Sequence, residues 1–195
     1  IYNDKFLKDR KGPTIEKYQA AIAAGKEYLS KCGSLEGDDN ATIKDYVTKQ
    51  IPKLEAIVKD MKFTAEVIDP FNKSVPAKDW ATAFNTGKQF IAANPDSVDV
   101  MLVLASIGFD NATDNPAVDT YNSDTIAMAK MALAKMAENK PSGSGNYGAF
   151  AYTYKTTACD GKLNATGWMN YTIGNITYYR LKKKKEALPY LYKST

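Results

Sequence analysis

The chain has 195 residues, 44% of them hydrophobic and 25% charged, with a formal net charge of +4 and no histidine. That balance excludes a disordered chain and leaves room for a continuous core. The basic residues run along the chain without interleaved aromatics, a poor footprint for nucleic acid, and no apolar run approaches the ~20 residues that cross a bilayer. Without histidine the commonest general base and the commonest metal ligand are both missing.

In chain order, residues 1 to 12 are charged, end at Gly12-Pro13, and predict an N-terminal arm that need not pack. Residues 13 to 195 are expected to form a single helical-repeat domain. Thr14 precedes a stripe of Ile15, Tyr18, Ile22 and Leu29 that predicts a helix ending at Cys32-Gly33. Beyond the acidic loop at Glu36 to Asp39, Ile43, Tyr46, Val47, Ile51, Leu54 and Ile57 predict a second helix that Pro52 should kink or divide. A stripe over Phe63, Val67, Ile68 and Phe71 is expected to close near Pro70, with a turn at Val75-Pro76. Asp79 to Asn94 predicts the next helix, stopped by Asn94-Pro95-Asp96, and Val98, Met101, Leu102, Ala105 and Phe109 predict its partner. Loops this short make antiparallel neighbours. An Asp/Asn-rich connection follows, then a helix opened by Ser123-Asp124, and a last pair over Thr166 to Leu181 and Lys184 to Lys193.

The segment Tyr18 to Leu29 returns 62 positions later as Trp80 to Ile91, with Ala21/Ala83, Gly25/Gly87 and Lys26/Lys88 identical. Self-similarity of this kind indicates stacked units, each burying a face against its neighbour. One stretch departs from the helical pattern. After the Gly/Ser segment at Pro141 to Gly145, Tyr147 is followed by Phe150, Tyr152 and Tyr154 in strand-like alternation. Two readings fit it: an extended connector whose rings cover the end of the helical stack, or an exposed aromatic insert for assembly with another chain.

Other motifs each carry two readings. Cys32 and Cys159 are either two buried thiols or one long-range disulfide. The acidic run Asp110 to Pro116 with Asp119 and Asp124 suits turn formers and helix caps, or a calcium loop without the EF-hand spacing. The run Lys182 to Lys185 after Arg180 is either a solvated turn or a contact for acidic lipids or a phosphate-bearing partner. Six Asn-x-Ser/Thr triplets begin at Asn40, Asn72, Asn111, Asn164, Asn170 and Asn175. No phosphate loop, nucleophile elbow or convergent acid-base pair is present, so neither catalysis nor a cofactor or metal is expected.

The pair from Trp80 to Gly108 resembles a tetratricopeptide repeat. Trp80, Ala83 and Pro95 stand at that family's aromatic, small and terminal proline positions, and Met101, Leu104 and Ala105 open the following unit. Tyr171, Gly174, Tyr178 and Ala187 match in the last pair. Gly87 stands where the pattern has a large aromatic, Pro189 lies within the last helix, and insertions follow Gly108 and Asn139. The chain is also similar to small exported bacterial proteins of this type. Its first residue, Ile1, fits a chain whose leader has been removed, so a periplasmic or extracellular location is expected.

The resemblance implies an all-α, antiparallel helix-pair solenoid with a short extended aromatic insert, clearest over residues 60 to 195. It implies a non-enzymatic scaffold that binds a protein or peptide, or its own copies, in a concave groove lined by the first helix of each pair. That groove would comprise Asp99, Leu102, Ser106, Phe109, Met169, Thr172, Ile176, Tyr179 and Arg180. The alternative is a structural subunit of a filament or larger complex, joined through the arm and the insert.

Overall fold

A computed structural model describes residues 1–11, 14–138, 152–155 and 160–194, with 152–155 and 160 described by backbone alone. The described chain is mostly helical and belongs to the all-α class. In place of one domain over 13 to 195, it divides into two compact units, Ile1–Glu66 and Val67–Thr195.

The first unit comprises a π-helical segment, Tyr2–Phe6, then α1 (Leu7–Asp9), α2 (Ile15–Cys32) and α3 (Asp38–Phe63). Thr14 caps α2 by accepting the Lys17 amide at 3.3 Å. The expected free arm is packed over its described part. Phe6 is 0% exposed, Tyr2 stacks on it at 5.9 Å, and Tyr46 meets it edge-on at 6.5 Å. The cause is apolar: Ile1, Tyr2, Phe6 and Leu7 fall at helical spacing, and burying them outweighs the solvation of the intervening charges, whose side chains reach water. Across from them α3 contributes one stripe, Val47, Ile51, Leu54 and Val58. That helix runs through Pro52 without dividing. Pro52 and Thr48 are both exposed, so the helical bond lost at this turn lies on the outer side of α3.

The chain enters the second unit within a π-helical segment, Thr64–Ile68, followed by α4 (Asp69–Ala77). Pro70 does not close a helix: it lies at the start of α4, directly after the π-helical turn, and the helical backbone runs on through it. Val75 and Pro76 lie in the last turn of α4, and the reversal comes at Lys78, whose φ of 57° is left-handed. Next come α5 (Trp80–Ala93), α6 (Val98–Asp114) and α7 (Asn122–Ala137). An antiparallel hairpin of β1 (Tyr152–Lys155) and β2 (Asp160–Leu163) follows, then α8 (Ala165–Asn175), a π-helical Ile176–Arg180, and α9 (Lys184–Lys193). The hairpin pairs Tyr152 with Leu163 and Lys155 with Asp160.

The second core centres on α6, which packs against α5, α7 and α8. Lys135 near the end of α7 bonds Asp96 before the start of α6 at 2.7 Å. Farther along, Gly108 of α6 lies against Thr125 in the first turn of α7, so the two helices are antiparallel. A Cβ at Gly108 would collide with the Thr125 hydroxyl; glycine sets how closely α6 and α7 approach. Gly174 does the same for α8 and α9, where a Cβ would sit 2.6 Å from Leu191.

Candidate interaction surface

The groove expected from the repeat resemblance is not formed by the residues assigned to it. Leu102, Met169, Thr172 and Ile176 are 0% exposed and Phe109 is 6% exposed, all within the core of the second unit. The reason lies in α6 and α8 themselves. Eleven of the 17 residues of α6 are buried, as are eight of the 11 of α8. Helices that are apolar on most sides are covered on most sides.

Ser106 is half-buried and accepts the Trp168 indole N–H at 2.9 Å, a bond that ties α6 to α8. Trp168 meets Phe109 edge-on at 4.7 Å. Asp99 is half-buried, with one carboxylate oxygen that accepts no hydrogen bond among the described residues. Arg180 donates to the Asp119 carboxylate at 2.7 Å and to the Val118 carbonyl at 3.3 Å, so it is a structural clamp. Of the predicted set only Tyr179 stands well out, at 60% exposure.

The backbone of Tyr152 and Tyr154 is the strand that the alternation predicted; Tyr147 and Phe150 lie outside the described residues. Cys32 is half-buried and forms no disulfide among the described residues, while Cys159 lies outside them. A cleft of about 210 Å³ lies between β2 and the ends of α8 and α9, lined by Lys162, Asn164, Thr166, Lys193 and Ser194 among others.

The acidic residues are divided among separate structural partners. Asp114 pairs with Lys78 at 3.2 Å, Asp124 with Lys88 at 2.6 Å, and Asp119 with Arg180. Partial desolvation, aided by the neighbouring Asp114 charge and opposed by Lys78, shifts the Asp110 carboxyl upward although the residue is exposed. Much of the expected connection is helix, since α6 continues to Asp114 with Asn111 and Ala112 buried. Among the described residues no group of three His, Cys, Asp or Glu is placed to hold a metal ion.

The Asn-x-Ser/Thr triplets are similarly absorbed. Asn40 accepts the Tyr28 hydroxyl and donates to the Cys32 and Leu35 carbonyls at 3.0 and 2.6 Å. Asn164 caps α8 by accepting the Gly167 amide at 2.8 Å. Asn111 and Asn170 are buried, and Asn175 donates to Tyr171. Only Asn72, on α4, is exposed without such a bond among the described residues.

Among the described residues of the second unit, exposed apolar side chains gather on α7 and at the C-terminal end. On α7 the outer stripe is Ala127, Met131, Ala134 and Ala137, all exposed, with Met131 at 39%. At the C-terminal end Leu188 is 45% and Tyr192 78% exposed, beside the lysine run. The α7 stripe was legible in Ile126-Ala-Met-Ala-Lys-Met-Ala-Leu-Ala, which has more apolar positions than one buried face consumes.

Comparison with known proteins found no matching family model, no matching curated protein and no matching solved structure. Among the described residues no helix is long and apolar enough to cross a membrane.

Proposed function

We propose that this chain is a non-enzymatic scaffold of tetratricopeptide-like antiparallel helix pairs, and that it docks a helix of a protein partner on the outer face of α7. The observation that carries this reading is the stripe Ala127, Met131, Ala134 and Ala137, which is small, apolar and exposed. The chain packs its own helices on surfaces of the same kind: Ala83, Ala105, Ala129, Ala132 and Ala187 are each 0% exposed. An uncovered face of this type accepts one more helix at close approach, and methionine adapts to the shape it meets.

The test uses Met131→Glu with Ala134→Glu. Both side chains point outward, so the unfolding midpoint stays near that of the parent while docking is lost. The parent chain should cross-link a discrete partner to α7 in native extract, and the variant should not. Equal recovery by both chains sinks the proposal. Light scattering on the purified chain identifies the partner class: a large homo-oligomer that the same variant dissolves makes the partner another copy, and the chain a structural subunit.

A further inference from the structure

Basic residues are spread along this chain, but their excess over acidic ones is not. Residues 180 to 193 hold six basic residues and one acidic one, a formal +5, so the other 20 basic and 21 acidic residues leave −1. The net charge of +4 therefore resides at the C-terminal end of the second unit. Two of the six cations are neutralised locally: Arg180 by Asp119 at 2.7 Å and Lys183 by Glu186 at 3.4 Å. Lys182 and Lys185 are exposed and make no ion pair among the described residues.

The same surface carries apolar side chains, joined to the lysines by contact and by helical spacing. The Tyr178 and Tyr179 rings meet at 4.8 Å, and the Lys184 ammonium lies over the Tyr178 ring at 5.4 Å. From Lys184 the four-residue spacing of α9 leads to Leu188 and then Tyr192, with Lys185 alongside. The packed side of α9 adjoins this stripe: Ala187 is fully buried and Leu191 lies against Gly174, while Leu188, Tyr192 and Lys185 turn progressively away from it. The outer stripe thus alternates ammonium, aliphatic and phenol.

We propose that this C-terminal surface docks the protein on an anionic lipid membrane, with Lys182, Lys184 and Lys185 at the headgroup charge and Leu188 and Tyr192 entering the interface. A lipid surface offers a sheet of negative charge above an apolar layer, and this stripe presents both complements on successive turns of α9. Nucleic acid would satisfy the lysines and leave Leu188 without a partner. A protein partner would need acids in register with each lysine, whereas a diffuse plane of charge needs no such register. Lysine, a flexible point charge, suits a field better than a directed hydrogen bond, and tyrosine is at home where one side is wet and the other apolar. This docking is independent of the α7 face: either can fail alone.

The experiment is co-sedimentation of the full chain with vesicles of phosphatidylcholine alone or phosphatidylcholine mixed with phosphatidylglycerol. Binding is expected only to the mixed vesicles and should fall as salt rises. Lys182→Gln with Lys185→Gln should lower the partition coefficient about thirtyfold. Leu188→Ser with Tyr192→Ser should weaken binding while keeping its salt dependence. Both pairs are outward-facing, and an unchanged unfolding midpoint confirms that each variant is folded. Failure of the parent chain to bind the mixed vesicles, equal binding to neutral vesicles, or an undiminished partition of the lysine variant overturns the proposal. So does displacement from the vesicles by a polyglutamate peptide that binds the free protein as tightly, which would assign the surface to an acidic protein.

Discussion

The two copies of the repeated segment, α2 in the first unit and α5 in the second, bury the same register against different neighbours. Ala21, Ile22, Ala24 and Gly25 are buried in one, and Ala83, Phe84, Thr86 and Gly87 in the other. Each glycine sits between an aromatic from earlier in its unit and an aliphatic from the helix after it. A Cβ at Gly25 would lie 3.1 Å from Phe6 and 3.2 Å from Ile51; at Gly87 it would lie 2.8 Å from Leu104 and 3.0 Å from Phe71. The repeat is therefore a packing arrangement as well as a string of similar letters. The following helix sets the difference between the copies: α3 buries one stripe, whereas α6 is enclosed by α5, α7 and α8.

The largest effect that tests this comparison is overpacking at the paired alanines, both 0% exposed. Ala83→Leu should cost about 3 kcal/mol, because the enclosed α6 has nowhere to shift, and Ala21→Leu about 1 kcal/mol, because α3 has an unpacked outer side. Urea unfolding of the two variants measures this, and equal losses would break the comparison.

A smaller effect is expected at the glycines. Gly→Ala in a helix gains about 1 kcal/mol of propensity. At Gly25 that gain offsets a contact that Phe6 and Ile51 relieve by small shifts, so stability should stay within about 0.5 kcal/mol. At Gly87 the closer Leu104 should leave a net loss of about 1 kcal/mol. If the thermal midpoints rank the two variants the other way, enclosure by neighbours is not what distinguishes the copies.

The smallest effect concerns the helix starts. Asp79 caps α5 by accepting the Thr82 amide at 3.1 Å, and hydrogen bonds from Thr82 lower its carboxyl below the usual range. Its contribution is present above the unfolded carboxylate pKa and is lost as pH falls through the lower folded value. Thr14, the cap of α2, does not titrate; the acid sensitivity there comes from Glu16, lowered by its own backbone amide and by Thr14. Asp79→Asn keeps the acceptor and removes the charge. A ladder of melting temperatures should show a shallower acid limb for this variant and little change at neutral pH.

Helix positions were largely legible in the sequence because apolar spacing and punctuation agreed: Thr14 and Asp79 start their helices, Asn94-Pro95-Asp96 separates α5 from α6, and α9 spans Lys184–Lys193. Prolines misled where the helix runs on through them: Pro70 follows directly on a π-helical turn, and Pro52 is on the exposed side of α3. The arm was misread because Tyr2 and Phe6 were outweighed by the charges around them. The groove was misplaced because a repeat register says which residues belong to a helix, while the number of neighbours decides which of its sides are covered. Val98, Val100, Met101, Leu102 and Leu104 leave α6 almost no polar face, and that run was the available sign.

The hydrogen bond from Trp168 to Ser106 has a spectroscopic corollary. Trp80 and Trp168 are the chain's two tryptophans, and both belong to the second unit; the first unit has no tryptophan. Trp168 is enclosed by Phe109 and Tyr171 and is 4% exposed, so its emission will be blue and will redden when α6 and α8 separate. Tryptophan fluorescence is thus a reporter of the second unit, and far-ultraviolet circular dichroism sums both. Any temperature or denaturant at which helicity falls while emission holds steady marks the first unit melting by itself.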